Sequence, residues 1–400
     1  MNGTGRNLVR SGAVLAVLAG AGSLIVATLP AYATQVGSTG CANQTVTPWR
    51  AVRHISSPLG DVFMVGVSPV RPADAWALGQ VIYPQTAKPL IEHWNGTQWS
   101  QVALPARVRR QFNDTDFWDA FGASSGGNVW AFALNGRYLR LQGKRWTAGV
   151  LPNPGIGAVE VESVKVFSRT DVWVFGARVN GTKVRPYAAR FNGSTWTEVP
   201  VPGRLDISAV SAVSAHDMFA VTGVIASAIG PAIRPHVLKW DGTRWRALAV
   251  QPRLRAGAVI YTIAAQSNAG IWIGGSTAPA VKQTLNLVKH WNGRTWLSAT
   301  SSSTRPAGSQ AVVSLVPDGC RGIWGLAANL SSAGLERIWR HGANGWSGPT
   351  RVPWTLTTLA AIRGTTSTWA VGQVKVNGRF HGVIVLHGTV PGRRDTVGKS

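Results

Sequence analysis

Forty Lys and Arg stand against only sixteen Asp and Glu in this chain of 400 residues, so each carboxylate invites a question about its task. Asp74, Asp171 and Asp217 precede short apolar strands, and Asp241 lies in an Asp-Gly turn. There the side chain hydrogen-bonds the turn's own backbone, a structural role. Among the twelve others, Asp61, Asp114, Asp116, Asp119, Glu160, Glu162 and Asp206 form a pattern. Each of these falls 11 to 16 residues before a recurring aromatic residue. Of nineteen tryptophans, seventeen belong to repeated phrases. The other two, Trp118 and Trp354, precede Trp130 and Trp369 by 12 and 15 residues and so map to the same region as the acids. Tyr261 and Phe112 lie near it. Carboxylates that accept hydrogen bonds from hydroxyls, beside flat aromatic faces that stack on sugar rings, would make a glycan-binding surface.

Two readings of this set stand open. In one, Trp118, Trp354, Asp116, Asp119, Glu162, Asp206 and Tyr261 line a ligand site. In the other, the two indoles plug a core and the acids pair with Arg at unit junctions, since aromatics of this size are usually buried. Catalysis is the alternative function. A glycoside hydrolase needs two carboxyls about 5 Å or about 6.5–9.5 Å apart, and Asp116 with Glu162 or Asp206 could supply them. A lyase would use Tyr, His, Lys or Arg around a neutralised uronate. No pair stands out, so a binding module is the expected function, with a protein-interaction scaffold in the same broad class.

Other chemistries find no motif. His93, His290, His341 and His387 recur at one point of a repeat, which marks them as structural. There is no H-E-x-x-H and no Cys-x-x-Cys, no G-x-S-x-G and no phosphate-binding Gly-x-x-x-x-Gly-Lys run. Neither a metal nor a cofactor is expected.

The elements that position these residues come from internal repetition. One phrase appears seven times, as in Asp74-Ala75-Trp76-Ala77-Leu78-Gly79 and Asp171-Val172-Trp173-Val174-Phe175-Gly176. Its key aromatics are Trp76, Trp130, Trp173, Phe219, Trp272, Trp324 and Trp369. A second phrase follows it, as in His93-Trp94-Asn95-Gly96-Thr97-Gln98-Trp99, Phe191-Asn192-Gly193-Ser194-Thr195-Trp196 and Trp291-Asn292-Gly293-Arg294-Thr295-Trp296. Asn-Gly and Asp-Gly between apolar runs signal a two-residue hairpin turn of type I′. That register sets Trp94 opposite Thr97 and diagonal to Trp99. An inner strand, the strand of the first phrase and the two hairpin arms make four strands per unit. Repeats of this length with four short strands describe the blades of a β-propeller. Sustained 3.6-residue periodicity is absent. The predicted fold is therefore all-β, with seven four-stranded blades over residues 48–391.

The last unit lacks its outer strand after His387, while Trp49-Arg50-Ala51-Val52 stands alone before the first and matches Trp99-Ser100-Gln101-Val102. The N-terminal strand should complete the seventh blade, removing a free sheet edge. The acids and spare tryptophans then gather where the chain enters the innermost strands, at one mouth of the central channel.

These phrases resemble those of bacterial secreted propellers of the kelch and galactose-oxidase type. The likeness covers about Pro48 to Pro391. The paired glycines of kelch blades, the Gly-His…Trp-Asp signature of WD40 repeats and the sialidase Asp box are missing. A copper-radical site like that of galactose oxidase would need a Tyr-Cys pair and His ligands, and neither cysteine has that context. The resemblance implies architecture and leaves activity open.

Residues 1–33 read as a signal peptide. Arg6 and Arg10 precede an apolar run from Gly12 to Leu29, and Ala31-Tyr32-Ala33 is a cleavage pattern. An uncleaved anchor is the alternative, and a lipoprotein site at Cys41 has weak support. Residues 34–47 read as a linker and 392–400 as a disordered basic tail. No later segment is long and apolar enough to span a bilayer, so a secreted or surface-associated monomer is expected, with no stable membrane insertion. The net charge of +24 draws polyanions such as wall polymers or acidic polysaccharides, or serves solubility. It is spread along the chain, so specific nucleic-acid binding is not expected. Export permits a disulfide, and the repeat map brings Cys41 and Cys320 into adjacent blades as a candidate pair.

Overall fold

The computed structural model describes residues 48–390, apart from 84–85, 113–115, 125–126, 154, 156, 224–233, 278–285, 300–309, 330–336, 343–344 and 348. The leader, the linker with Cys41, Asp114 and the basic tail lie outside the described residues.

The chain enters on β1 (Arg50–Ile55) and then builds blades in order. Blade one is β2 (Asp61–Arg71), β3 (Asp74–Tyr83), β4 (Thr86–Trp94) and β5 (Trp99–Val102). A one-turn helix, α1 (Ala106–Arg109), leads to blade two: β6 (Trp118–Ser124), β7 (Asn128–Ala133), β8 (Arg137–Gln142) and β9 (Arg145–Val150). Blade three is β10 (Ala158–Ser168), β11 (Asp171–Asn180), β12 (Lys183–Phe191) and β13 (Trp196–Glu198). Blade four is β14 (Ile207–Ser214), β15 (Asp217–Thr222), β16 (Val237–Trp240) and β17 (Trp245–Ala247). Blade five is β18 (Val259–Ser267), β19 (Gly270–Ser276), β20 (Asn286–Trp291) and β21 (Trp296–Ser298). Blade six is β22 (Gln310–Pro317), β23 (Ile323–Asn329), β24 (Arg337–Gly342) and β25 (Gly345–Trp346), with β26 (Thr350–Arg351) also paired to β24. Blade seven is β27 (Thr355–Ala361), β28 (Thr368–Val376) and β29 (Arg379–His387), completed by β1.

The structure is thus a seven-bladed propeller of antiparallel sheets. Closure follows the predicted route: β1 pairs with β29 from Arg50 opposite Leu386 to Ile55 opposite Gly382. Trp49 packs edge-on to Trp324 of blade six, with centroids 5.6 Å apart, and beside His387 at 5.1 Å.

The hairpin turn sits one residue later than predicted. Trp94 faces Trp99 directly, and Phe191–Trp196, Trp240–Trp245 and Trp291–Trp296 repeat the pairing. The reason is the Asn or Asp side chain. Asn95 Oδ1 accepts from the amides of Thr97 and Gln98, so Gly96, with φ of +98°, becomes the first central residue. Glycine suits that position because it adopts positive φ without steric cost.

Every inner strand carries a β-bulge near its start, at Val65, Asp119, Glu162, Ser208, Tyr261, Val313 and Thr357. The extra residue falls eleven positions before the key aromatic in six blades and twelve in the seventh. The bulge explains a motif residue. A Cβ on Gly176, Gly275 or Gly372 would strike the inner-strand carbonyl of Glu160, Val259 or Thr355. Only glycine leaves room where the bulge presses that carbonyl against its neighbour.

Hydroxyls tie neighbouring inner strands together. Ser68 Oγ accepts from the Ala123 amide and Ser211 Oγ from the Ala265 amide, both at 2.9 Å. Thr262 and Ser314 accept from Leu315 and Leu359 at 3.1 Å, and Thr357 donates to the Met64 carbonyl at 3.0 Å, crossing from blade seven to blade one. Between blades, the key aromatics are buried on the neighbouring sheet: Trp130 meets Phe191 and Trp196, and Trp173 meets Trp240. A basic residue commonly lies over the aromatic's other face, as Arg140 does on Trp130 and Arg190 on Trp173. His93 and His290 stack on Trp76 and Trp272 at 4.0 and 4.2 Å. These histidines and part of the positive charge are therefore structural.

Candidate functional site at the channel mouth

The bulges bring acids together that the strands alone would disperse. Asp119 is the bulge residue of β6, Glu162 that of β10, Glu160 lies two residues before it, and Asp206 immediately precedes β14. All four stand at the N-terminal ends of inner strands in blades two to four. Their carboxyls feel one another across blades. Burial pushes the Asp119 pKa up to about 8, and Glu160 adds to the rise. Burial raises Glu160, with Asp206 second. Glu162 is pushed well above the usual range by burial and then by Asp206, Asp119 and Glu160 in turn. Low polarity and neighbouring like charge both favour the protonated form.

Partners separate these acids from the rest. Glu92, Asp116, Asp171, Glu198, Asp217, Asp241 and Asp318 each pair with Arg or Lys, and Asp74 with His93. Asp61 accepts the Phe380 amide. Asp206 accepts the Ser208 hydroxyl at 2.7 Å. Asp119, Glu160 and Glu162 have no hydrogen bond or cation among the described residues, and Glu162 Oε1 is inaccessible and unmatched. This occurs in a chain with a large excess of basic side chains. No set of three or more His, Cys, Asp or Glu among the described residues is arranged to hold a metal ion.

The remaining members of the expected site have other surroundings. Asp116 is fully buried, accepts Asn135 Nδ2 at 2.6 Å and pairs with Arg137, so it is not a carboxylate shared with Glu162 or Asp206. Trp118 is only 1% exposed, wedged between blades one and two against Phe112, with its amide bound to Gln80. An indole so enclosed presents no open face for stacking in this arrangement. Adjacent strand residues point oppositely, and Asp119 beside it takes the bulge. Trp354 packs half-buried on the cluster around Trp49 and Val352, apart from the acids. Tyr261 occupies the bulge of blade five but is largely buried, its phenol raised by burial and partly lowered by Ser276. Cys320 is disulfide-bonded, while Cys41 is outside the described residues.

Sequence reasoning missed Lys165. It lies on β10 three residues past Glu162, where blades one and four carry Ser68 and Ser211. Its side chain is almost wholly enclosed, and burial draws its pKa well below the usual lysine value. The offset shared with Ser68 and Ser211 was available as a signal once the bulges are aligned.

No protein-family profile matches the chain, and no curated protein matches it. Solved structures share the architecture. YCF48 from Cyanidioschyzon merolae is 14% identical, with a TM-score of 0.53 over 84% of this chain and 99% of its own. A polysaccharide lyase of family PL25, an ulvan lyase, is 12% identical, with a TM-score of 0.52 over 84% and 96%. The extracellular domain of the one-component system BT4673 from B. thetaiotaomicron is 8% identical, with a TM-score of 0.51 over 85% of this chain and 40% of that one. At such identities the likeness is one of fold: this chain shares the propeller ring with proteins of different activities.

Proposed function

We propose that this chain is an exported, kelch-like propeller that binds a glycan or cell-wall polymer at the channel mouth through Asp119, Glu160, Glu162 and Asp206. The observation that supports it is that three clustered carboxyls have no hydrogen-bond or cationic partner among the described residues of so basic a chain. Buried polar groups are ordinarily satisfied, and an exception calls for an outside ligand or a strain role. Carboxyls whose pKa is raised by burial can donate to as well as accept from sugar hydroxyls. Stacking on Trp118 is not part of this reading. Export rests on the leader sequence.

Glycan and peptidoglycan arrays probed with the protein test the reading. Asp119→Asn and Glu162→Gln keep shape while removing the ionisable carboxyl, and each should weaken binding roughly tenfold. An array without ligands, or variants that bind like the parent, would reject it. The raised pKa of Asp119 favours a second reading, since a carboxyl protonated near neutrality can act as a general acid. Product analysis of bound glycans separates the two: cleaved chains indicate a hydrolase or lyase, and intact chains a binding module.

A further inference from the structure

A corner of the mouth face, at the junction of blades seven and one, exposes apolar side chains at loop tips. Leu59, on the β1–β2 connection, is 57% exposed, Tyr83 at the end of β3 is 60% exposed, and Val376 at the β28–β29 turn is 38% exposed. These account for three of the six exposed large hydrophobic residues among those described, and Val150, Val250 and Leu297 lie in other blades. The segments that carry them adjoin. Gly60, next to Leu59, packs on Tyr83, and Arg379 Nη1 across the turn from Val376 donates to the Pro58 carbonyl at 3.5 Å. Beneath them Phe63 and Phe380 pack at 5.2 Å as a firm base.

The fringe is basic. Lys375 lies over the Phe380 ring at 5.7 Å, Arg379 flanks the turn and Lys88 is exposed on β4. None of the three forms an ion pair among the described residues, and the nearby Asp61 carboxylate is committed to the Phe380 amide. A glycan site is normally concave and aromatic. This corner consists of exposed loop and turn residues, and two of the three apolar ones are aliphatic. Exposed aliphatic residues with a Tyr and a basic rim match the interface of a bilayer bearing anionic headgroups.

We propose that this corner docks peripherally on an anionic lipid surface, with Leu59, Tyr83 and Val376 entering the headgroup region and Lys88, Lys375 and Arg379 meeting lipid phosphates. The contact involves no membrane-spanning segment and does not depend on the reading of the mouth acids. It turns the mouth face towards the bilayer.

The test is sedimentation of the chain from Thr34 onward, which keeps every strand of the ring and omits the apolar leader. Vesicles of phosphatidylcholine alone are compared with vesicles of equal parts phosphatidylcholine and phosphatidylglycerol, with soluble dextran sulfate as competitor. The expected result is binding to the anionic vesicles only. The triple variant Leu59→Ser, Tyr83→Ser and Val376→Ser should lose at least about tenfold in affinity, and Lys375→Gln with Arg379→Gln should lose the preference for phosphatidylglycerol. All five positions are at the surface, and an unchanged melting temperature confirms folding. Absence of vesicle binding overturns the proposal. So does binding that the triple variant retains, which would mean diffuse charge attraction. Full displacement by dextran sulfate, with the triple variant binding like the parent, would point to an acidic polysaccharide and also overturn it.

Discussion

The guanidinium of Arg53 grips the carboxylate of Glu92 through two hydrogen bonds, at 3.1 and 3.2 Å, and in doing so joins the N-terminal strand of blade seven to the third strand of blade one. Glu92 is completely buried, while Arg53 is about one-third exposed. Burial raises the Glu92 pKa and Arg53 counters it. Arg53→Ala should leave an unpaired buried carboxyl and cost roughly 2–3 kcal/mol, a figure reduced from that of a fully buried pair by the exposure of Arg53. Replacing both residues with leucine should recover most of the loss. Denaturant melts of the single and double variants check this, and an equal loss in both would contradict it.

Glycine 176 is required by the bulge of blade three. Its Cβ would collide with the Glu160 carbonyl. Gly176→Ala should destabilise the protein by roughly 1–3 kcal/mol, and displacement of Glu160 and Glu162 should lower any affinity measured at the mouth. Gly181→Ala is the comparison, because nothing lies near its Cβ and its positive φ alone is disturbed. A melting temperature for Gly176→Ala above that of Gly181→Ala would count against the bulge explanation.

Stability should fall as pH rises through the mouth acids' range. Asp119 moves from 3.8 to about 8 on folding, so the folded state holds its proton more tightly than the unfolded chain. The contribution is complete below 3.8, declines through that window and vanishes above about 8. Asp119→Asn should flatten the slope of melting temperature against pH across the window. A slope identical to the parent's would show that the mouth carboxyls titrate normally.

Imidazole chemistry acts in the opposite direction at the ring closure. His387 is buried beside Trp49 and Trp324, and burial followed by Arg340 draws its pKa from 6.5 to about 4. Its contribution is present above 6.5 and lost as pH falls towards 4, because the unfolded chain protonates first. His387→Phe keeps a flat ring and should make the protein more resistant to acid than the parent in that interval. Trp fluorescence during acid titration reports it, and an unchanged midpoint would mean that His387 does not set the acid limit.

Much of the architecture could be read along the chain because a propeller repeats its local rules. The spacing of Trp76, Trp130 and Trp173 displays the blades, and Trp49 standing alone announces the closure. The same repetition marked Asp74 and Asp171 as structural, though Asp74 holds His93 and Asp171 holds Arg190 and Trp173 rather than a turn backbone, and it left Asp119, Glu160, Glu162 and Asp206 as exceptions. What each exception touches was decided elsewhere. Trp118 and Asp119 are neighbours in sequence, yet the bulge sends one to the interior and leaves the other among carboxyls of blades three and four. Asp116, only three residues earlier, finds Arg137 on β8. Composition and periodicity determine how many sheets form and in what order they close, since each blade must bury one face on the next. Which acids remain without a cation depends on distances between residues far apart in the chain, and only the closed ring sets those.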